Sequence, residues 1–115
     1  MPAVSQSPGQ PVYLKLRDTI AVAIIEGRYK EGELLPSVRT MAASEGANPL
    51  TVAKAYQLFQ NDGLVEVRRG VGMLVVPGAA RRLLAEERRR FLNDEWPAIR
   101  RRMERLGLEV AELAG

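Results

Sequence analysis

The chain has 115 residues, enough for one compact domain and a small appendage. It contains no cysteine and no histidine, which excludes a disulfide framework and thiolate chemistry and removes the commonest neutral-pH base and metal ligand, so no enzyme, cofactor or metal site is expected. Seventeen Lys and Arg against fourteen Asp and Glu leave a net charge of +3, which suits a nucleic-acid partner without demanding one. No apolar run has membrane-spanning length and the N-terminus lacks the pattern of a signal peptide, so a cytoplasmic location with no membrane partner is expected.

Residues 1–10, rich in Pro, Ser, Gly and Gln without periodicity, read as a disordered N-terminal segment. From Val12 to Glu26 the apolar residues Leu14, Leu16, Ile20, Val22, Ala23 and Ile24 recur at mostly helical spacing. Pro11 suits the first turn and Gly27 closes the segment, predicting a first helix. Residues 28–35 follow as a connector containing the turn former Gly32. Pro36 then opens a second helix over Ser37–Glu45, with Val38, Met41 and Ala42 facing inward and Gly46 at its end.

Asn48-Pro49 is a strong helix start, because an Asn side chain accepts from an orphan backbone N–H and proline suits the first helical position. The third helix runs from Pro49 to about Asp62, before Gly63. Val65–Arg68 and Met73–Val76 read as two short strands around Arg69-Gly70-Val71-Gly72, a hairpin ended by Pro77-Gly78. From Ala79 onward arginines alternate with acidic residues. Leu92, Trp96, Ile99, Met103, Leu106, Val110 and Leu113 fall at alternating intervals of four and three, the seam of a helix that packs on another helix. Pro97 either kinks that helix or starts a new one, and Gly107 weakens its end. The expected fold is thus mainly α with a small β-hairpin: a winged helix-turn-helix over residues 11–78 followed by a short helical dimerisation tail over residues 79–115.

The Gly46-Ala47-Asn48 turn between helices two and three has the spacing of a helix-turn-helix, in which the second helix offers its N-terminal residues to base edges in the major groove. Val52, Ala55, Tyr56 and Phe59 form its inward stripe, leaving Leu50, Thr51 and Lys54 outward. Thr51 can bond to a base or phosphate, Leu50 can meet a thymine methyl, and Lys54 can reach a phosphate or guanine. Arg68 and Arg69 stand at a hairpin tip where Gly70 and Gly72 allow close approach, the design of a wing that rests on a phosphate backbone or in the minor groove. The competing reading of all these residues is a merely solvated face, and that of the tail seam is a helix folded back on its own domain.

The runs Leu35-Pro36-Ser37-Val38-Arg39, Gly46 through Tyr56, Asp62-Gly63-Leu64-Val65-Glu66 and Arg69-Gly70-Val71-Gly72 resemble, in order and spacing, the N-terminal domain of the GntR family of bacterial regulators. The asparagine-proline turn, the Ala-Lys-Ala-Tyr run and the short arginine-rich tail are similar to its small YtrA-type branch. The resemblance implies that Arg39 contacts DNA and that Ser37 meets a phosphate at the same helix start. It also implies that Asn48, Pro49, Leu50 and Thr51 open the recognition helix and that Gly70 is the wing glycine. Many relatives carry arginines where this chain has Pro49 and Ala53, so their base contacts do not transfer.

Larger relatives carry an effector domain after the wing. The residues following Gly78 are too few to enclose a sizeable pocket within one chain, and the resemblance implies that such a tail dimerises, consistent with the seam. The function expected is a sequence-specific homodimeric repressor on a palindromic double-stranded DNA operator, with Leu92, Trp96, Ile99, Met103, Leu106 and Val110 at the dimer contact. A small-molecule effector is left open, with no residue to identify it. A protein-interaction adaptor or a non-specific architectural DNA binder on the same scaffold is the alternative.

Overall fold

The structure, a computed structural model, describes residues 10–114. Of the expected N-terminal segment only Gln10 is among them, its amide donating to Asp18 Oδ2 at 3.5 Å; residues 1–9 lie outside the described residues. Three helices come first: α1 (Val12–Ile25), α2 (Val38–Glu45) and α3 (Pro49–Asn61). Strands β1 (Val65–Arg68) and β2 (Gly72–Val75) form an antiparallel pair with Val65 opposite Val75 and Arg68 opposite Gly72. Then follow α4 (Ala79–Arg90), a π-helical turn (Phe91–Glu95), α5 (Trp96–Arg105) and the short α6 (Val110–Leu113). The chain divides into two compact units, one through Arg81 and one from Arg82. No helix among the described residues is long and apolar enough to cross a membrane.

Local signals explain the boundaries. Pro11 supplies the N-cap of α1, Ser37 Oγ accepts from the Thr40 N–H to cap α2, and Asn48 Oδ1 accepts from the Leu50 N–H at 2.7 Å to cap α3. Gly46 takes a left-handed conformation (φ +64°) that costs other residues a steric clash, which turns the chain sharply between α2 and α3. The second strand starts at Gly72, one residue earlier than expected, because the Arg68–Gly72 pair closes the ladder directly at the turn.

The core of the first unit is formed where the predicted inward faces meet. Leu16, Ile20 and Ile24 of α1, Met41 of α2 and Val52, Ala55, Tyr56 and Phe59 of α3 are buried together with Leu64, Val65 and Val75 of the hairpin. One charged group joins them. Arg17 is buried, with its guanidinium 5.4 Å from the centroid of the Phe59 ring and within 3.7 Å of Asp62 Oδ2 and 3.8 Å of Asp18 Oδ1. The ring face and the carboxylates together offset the loss of hydration of the cation.

The connector is more structured than its sequence indicates. Gly32 N–H donates to the Val75 carbonyl, Leu35 N–H to that of Met73, and Val75 N–H to that of Glu33, so residues 32–35 line the outer edge of β2. Glu31 Oε2 also accepts from the Ala80 N–H at 3.2 Å, satisfying one of the unpaired donors at the start of α4.

In the tail, Pro97 does not break the helical path, which continues from α4 through the π turn into α5. Its ring would clash with the carbonyl of Asn93 in a continuous α-helix, and it lacks the N–H that this carbonyl would accept. The chain widens into a π turn over 91–95, with Trp96 N–H reaching the Phe91 carbonyl, and Pro97 falls in the first turn of α5 where no donor is required. At the other end, Gly107 (φ +71°) lets the Leu108 N–H reach the Met103 carbonyl at 2.9 Å and closes α5. Val110 and Leu113 therefore lie on a separate helix and do not continue the α5 seam.

Candidate nucleic-acid interface

The outward face of α3 carries the candidate readers. Leu50 is 78% exposed, Pro49, Ala53 and Lys54 are exposed, and Thr51 is half-buried. Asn48 uses its carbonyl oxygen in the cap, which leaves its NH2 group for an external acceptor. A part-buried hydrogen bond ties this helix to the chain entering α2: the Tyr56 hydroxyl donates to the Pro36 carbonyl at 2.7 Å, just before the start of α2. Burial, reinforced by the nearby Tyr29 hydroxyl, pushes the Tyr56 phenol far above its ordinary range, so it remains a donor throughout neutral pH.

Tyr56→Phe is expected to cost about 1–2 kcal/mol, because the Pro36 carbonyl loses its partner in a partly buried position. The same variant should change the alkaline limb. With the folded-state pKa raised above the unfolded value near 10, the folded protein holds a proton that the unfolded chain loses. Stability therefore falls as pH rises beyond about 10. Urea denaturation between neutral and alkaline pH should show that part of the decline missing in Tyr56→Phe; an identical decline would remove the buried hydroxyl as its source.

At the start of α2, Arg39 is exposed and makes no ion pair among the described residues, whereas the Ser37 hydroxyl is already engaged, accepting from Thr40 N–H and donating to Thr40 Oγ1 at 3.0 Å. Ser37 is thus first a cap, and the N–H groups of the first turn remain the donors for an anion. The wing tip is the tight turn Arg69-Gly70-Val71, with Val71 N–H donating to the Arg68 carbonyl and Gly70 at φ +76°. Its two arginines differ. Arg68 Nε lies 3.2 Å from Glu66 Oε2 on the same strand face, while Arg69 is exposed without an ion pair among the described residues. Arg69 is the cation better placed to meet a phosphate.

Two grooves organise these residues. One, of about 390 Å³, runs between Ser37 and Val38 at the start of α2 and Val67, Val71 and Gly72 of the wing, with Tyr56 also lining it. It brings the start of α2 beside the hairpin. The other, of about 600 Å³, lies between Val12 and Tyr13 of α1 and Leu50, Thr51 and Lys54 of α3. There Lys54 Nζ sits 4.7 Å from the centroid of the Tyr13 ring. Sequence periodicity did not single out Tyr13 or Val12 for this surface, since both carry the ordinary signature of a helix start.

The tail candidates occupy the second unit. Leu92, Ile99 and Leu106 are exposed, Trp96 and Met103 half-buried, and the Trp96 ring lies 6.4 Å from that of Phe91, which is itself exposed. Phe91 and Leu84 are further exposed apolar residues outside the predicted seam.

The profile of the family described as bacterial regulatory proteins, gntR family, matches residues 10–75, from the start of α1 to the end of β2. The chain is 30% identical over 104 residues to the uncharacterized HTH-type transcriptional regulator YhcF of Bacillus subtilis, covering 90% of this chain and 84% of that one. It is 36% identical over 69 residues to the HTH-type transcriptional repressor YtrA of Bacillus subtilis, covering 60% of this chain and about half (53%) of the repressor. Its fold is similar to a crystal structure of a transcriptional regulator from Oenococcus oeni, with a TM-score of 0.75 and 26% identity over the whole of both chains. With the helix-turn-helix, the wing and the full span of the profile in agreement, the chain belongs to the GntR family of bacterial regulatory proteins and is a transcriptional regulator, not an enzyme.

Proposed function

We propose that this protein is a cytoplasmic homodimeric repressor of the YtrA-like branch that binds a palindromic operator in double-stranded DNA. The observation that carries the reading is the opening of α3: a capped helix start, tied by Tyr56 to the chain entering α2, that directs Leu50 and Thr51 outward instead of into the core. Asn48, Pro49, Leu50, Thr51 and Lys54 read the major groove. Ser37 and Arg39 at the start of α2, with Arg68, Arg69 and Gly70 of the wing, secure the flanking backbone. Similarity to a repressor over the winged domain supports the negative sign of regulation. The apolar face of Leu92, Trp96, Ile99, Met103 and Leu106, with Val110 beyond the Gly107 turn, pairs two copies so that two modules read two half-sites.

The test is binding of the purified chain to its own upstream genomic DNA against a scrambled duplex of equal length at near-physiological salt. A preference of roughly a thousandfold for the upstream sequence is expected. Thr51→Ala should weaken binding about tenfold, by loss of a hydrogen bond to base or phosphate. Arg69→Glu should weaken it on all duplexes and lower the salt slope by about one. Equal, weak binding to both duplexes would remove the repressor reading.

A further inference from the structure

The groove between α1 and α3 joins Leu50 and Lys54 of the reading helix to Val12 and Tyr13 of α1, which the DNA-binding reading above does not use. Val12 and Tyr13 in the first turn of α1 share this groove with Leu50, Thr51 and Lys54 of α3, and Tyr13 meets Lys54 midway along that helix. The walls are apolar at the rim, where Leu50 is 78% and Val12 59% exposed, with Ala53 between the polar residues of α3. None of the residues lining it is acidic, and its one charge is the Lys54 ammonium, held over the Tyr13 ring. A groove with a cation at its rim and no carboxylate is complementary to a polyanion, while its apolar walls are suited to a hydrophobic feature of that polyanion. In the major groove that feature is the C5 methyl of thymine.

We propose that this groove is a specificity-determining site that reads thymine methyl groups of the operator. Leu50 and Val12 make the apolar contact, and Tyr13 acts as a positioning residue that holds Lys54 toward the adjacent phosphate. The inference rests on the DNA-binding reading above and extends the reading surface to the first turn of α1. It also accounts for a recognition helix that opens with Pro49, Leu50 and Ala53 instead of with long donors: discrimination by methyl contact needs no hydrogen-bonding side chain at these positions.

The experiment uses an operator selected by the full chain from a random duplex library, with each thymine replaced singly by uracil, which removes only the methyl. Affinity is expected to fall about fourfold at one or two positions in each half-site, the effect of leaving one methyl group without its apolar contact. Leu50→Ala should erase the difference between thymine and uracil at those positions while leaving the melting temperature unchanged, since this side chain is exposed. Tyr13→Leu should weaken binding several-fold and Tyr13→Phe should restore it, with Tyr13→Leu having no further effect once Lys54 is replaced by methionine.

Uracil duplexes that all bind like the thymine operator, or a discrimination that survives Leu50→Ala, would overturn the methyl site while leaving an operator-binding regulator intact. Tyr13→Phe behaving like Tyr13→Leu would overturn the positioning role. If selection enriches no sequence at all, the DNA-reading function fails first and this inference falls with it.

Discussion

Phe59→Ala is expected to destabilise the winged domain by about 3–5 kcal/mol, the range for removing a large aromatic side chain from a closed core. Phe59 is fully buried, at 0% exposure, in the last turn of α3. Its ring is also the surface on which the Arg17 guanidinium rests at 5.4 Å. Truncation therefore leaves a cavity and takes from a buried cation one of the groups that offset its desolvation. Small domains have roughly 5–15 kcal/mol in total, and a winged domain of this size stands toward the lower end, so the variant should melt close to physiological temperature. Far-UV circular dichroism against urea and temperature measures this directly. Phe59→Leu, which keeps most of the volume but no ring face, should cost markedly less, and the difference between the two variants separates cavity formation from loss of the arginine contact. A cost below about 1 kcal/mol for Phe59→Ala would mean that α1 and α3 are not joined through this ring.

For the homodimer proposed above, Trp96→Ala combined with Ile99→Ala is expected to raise the dissociation constant by at least a hundredfold. A large aromatic anchor such as Trp96 at the centre of an interface costs roughly 2–4 kcal/mol on truncation, the Ile99 truncation adds to that, and a tenfold change corresponds to about 1.4 kcal/mol. In one copy of the chain Ile99 is 39% exposed and Trp96 half-buried beside Phe91, which leaves both open to the partner helix of that proposal. The winged domain belongs to the other compact unit, so its melting transition should persist in the variant. Sedimentation across a concentration series reads the assembly state, and full-site against half-site duplexes read its consequence. The wild type should gain strongly from the second half-site and the variant should not. A wild-type chain that sediments as a monomer at all concentrations would assign the apolar face to some other partner and leave operator binding to single modules.

The placement of the three helices and the hairpin was legible because the signals that bound them are local. A capping side chain acts on an N–H two or three residues away, as Ser37 does on Thr40 and Asn48 on Leu50, and a left-handed glycine such as Gly46 acts on the turn it occupies. The inward stripe of Val52, Ala55, Tyr56 and Phe59 was equally readable, since helical spacing alone places these residues on one face and all four are buried. The same locality left Pro97 undecided between a kink and a helix start. Both satisfy the ring, and the outcome depends on whether the preceding turn can widen, which it does over Phe91–Glu95, so the helical path continues.

Only the tertiary structure decided which distant groups meet. Residues 32–35 are too short for a periodic pattern. They become strand-like because β2 presents an open edge whose carbonyls and N–H groups need partners. Nothing in the local spacing marks Arg17 or Tyr13; Arg17 gains its partners when α3 brings Phe59 and Asp62 to it, and Tyr13 when Lys54 lies over its ring. By itself the sequence determined what each segment becomes and which face it buries, because those choices act over a few residues. It left open the pairings across the groove and along the strand edge, because these depend on how the helices cross, a property of the whole packed core rather than of any one segment.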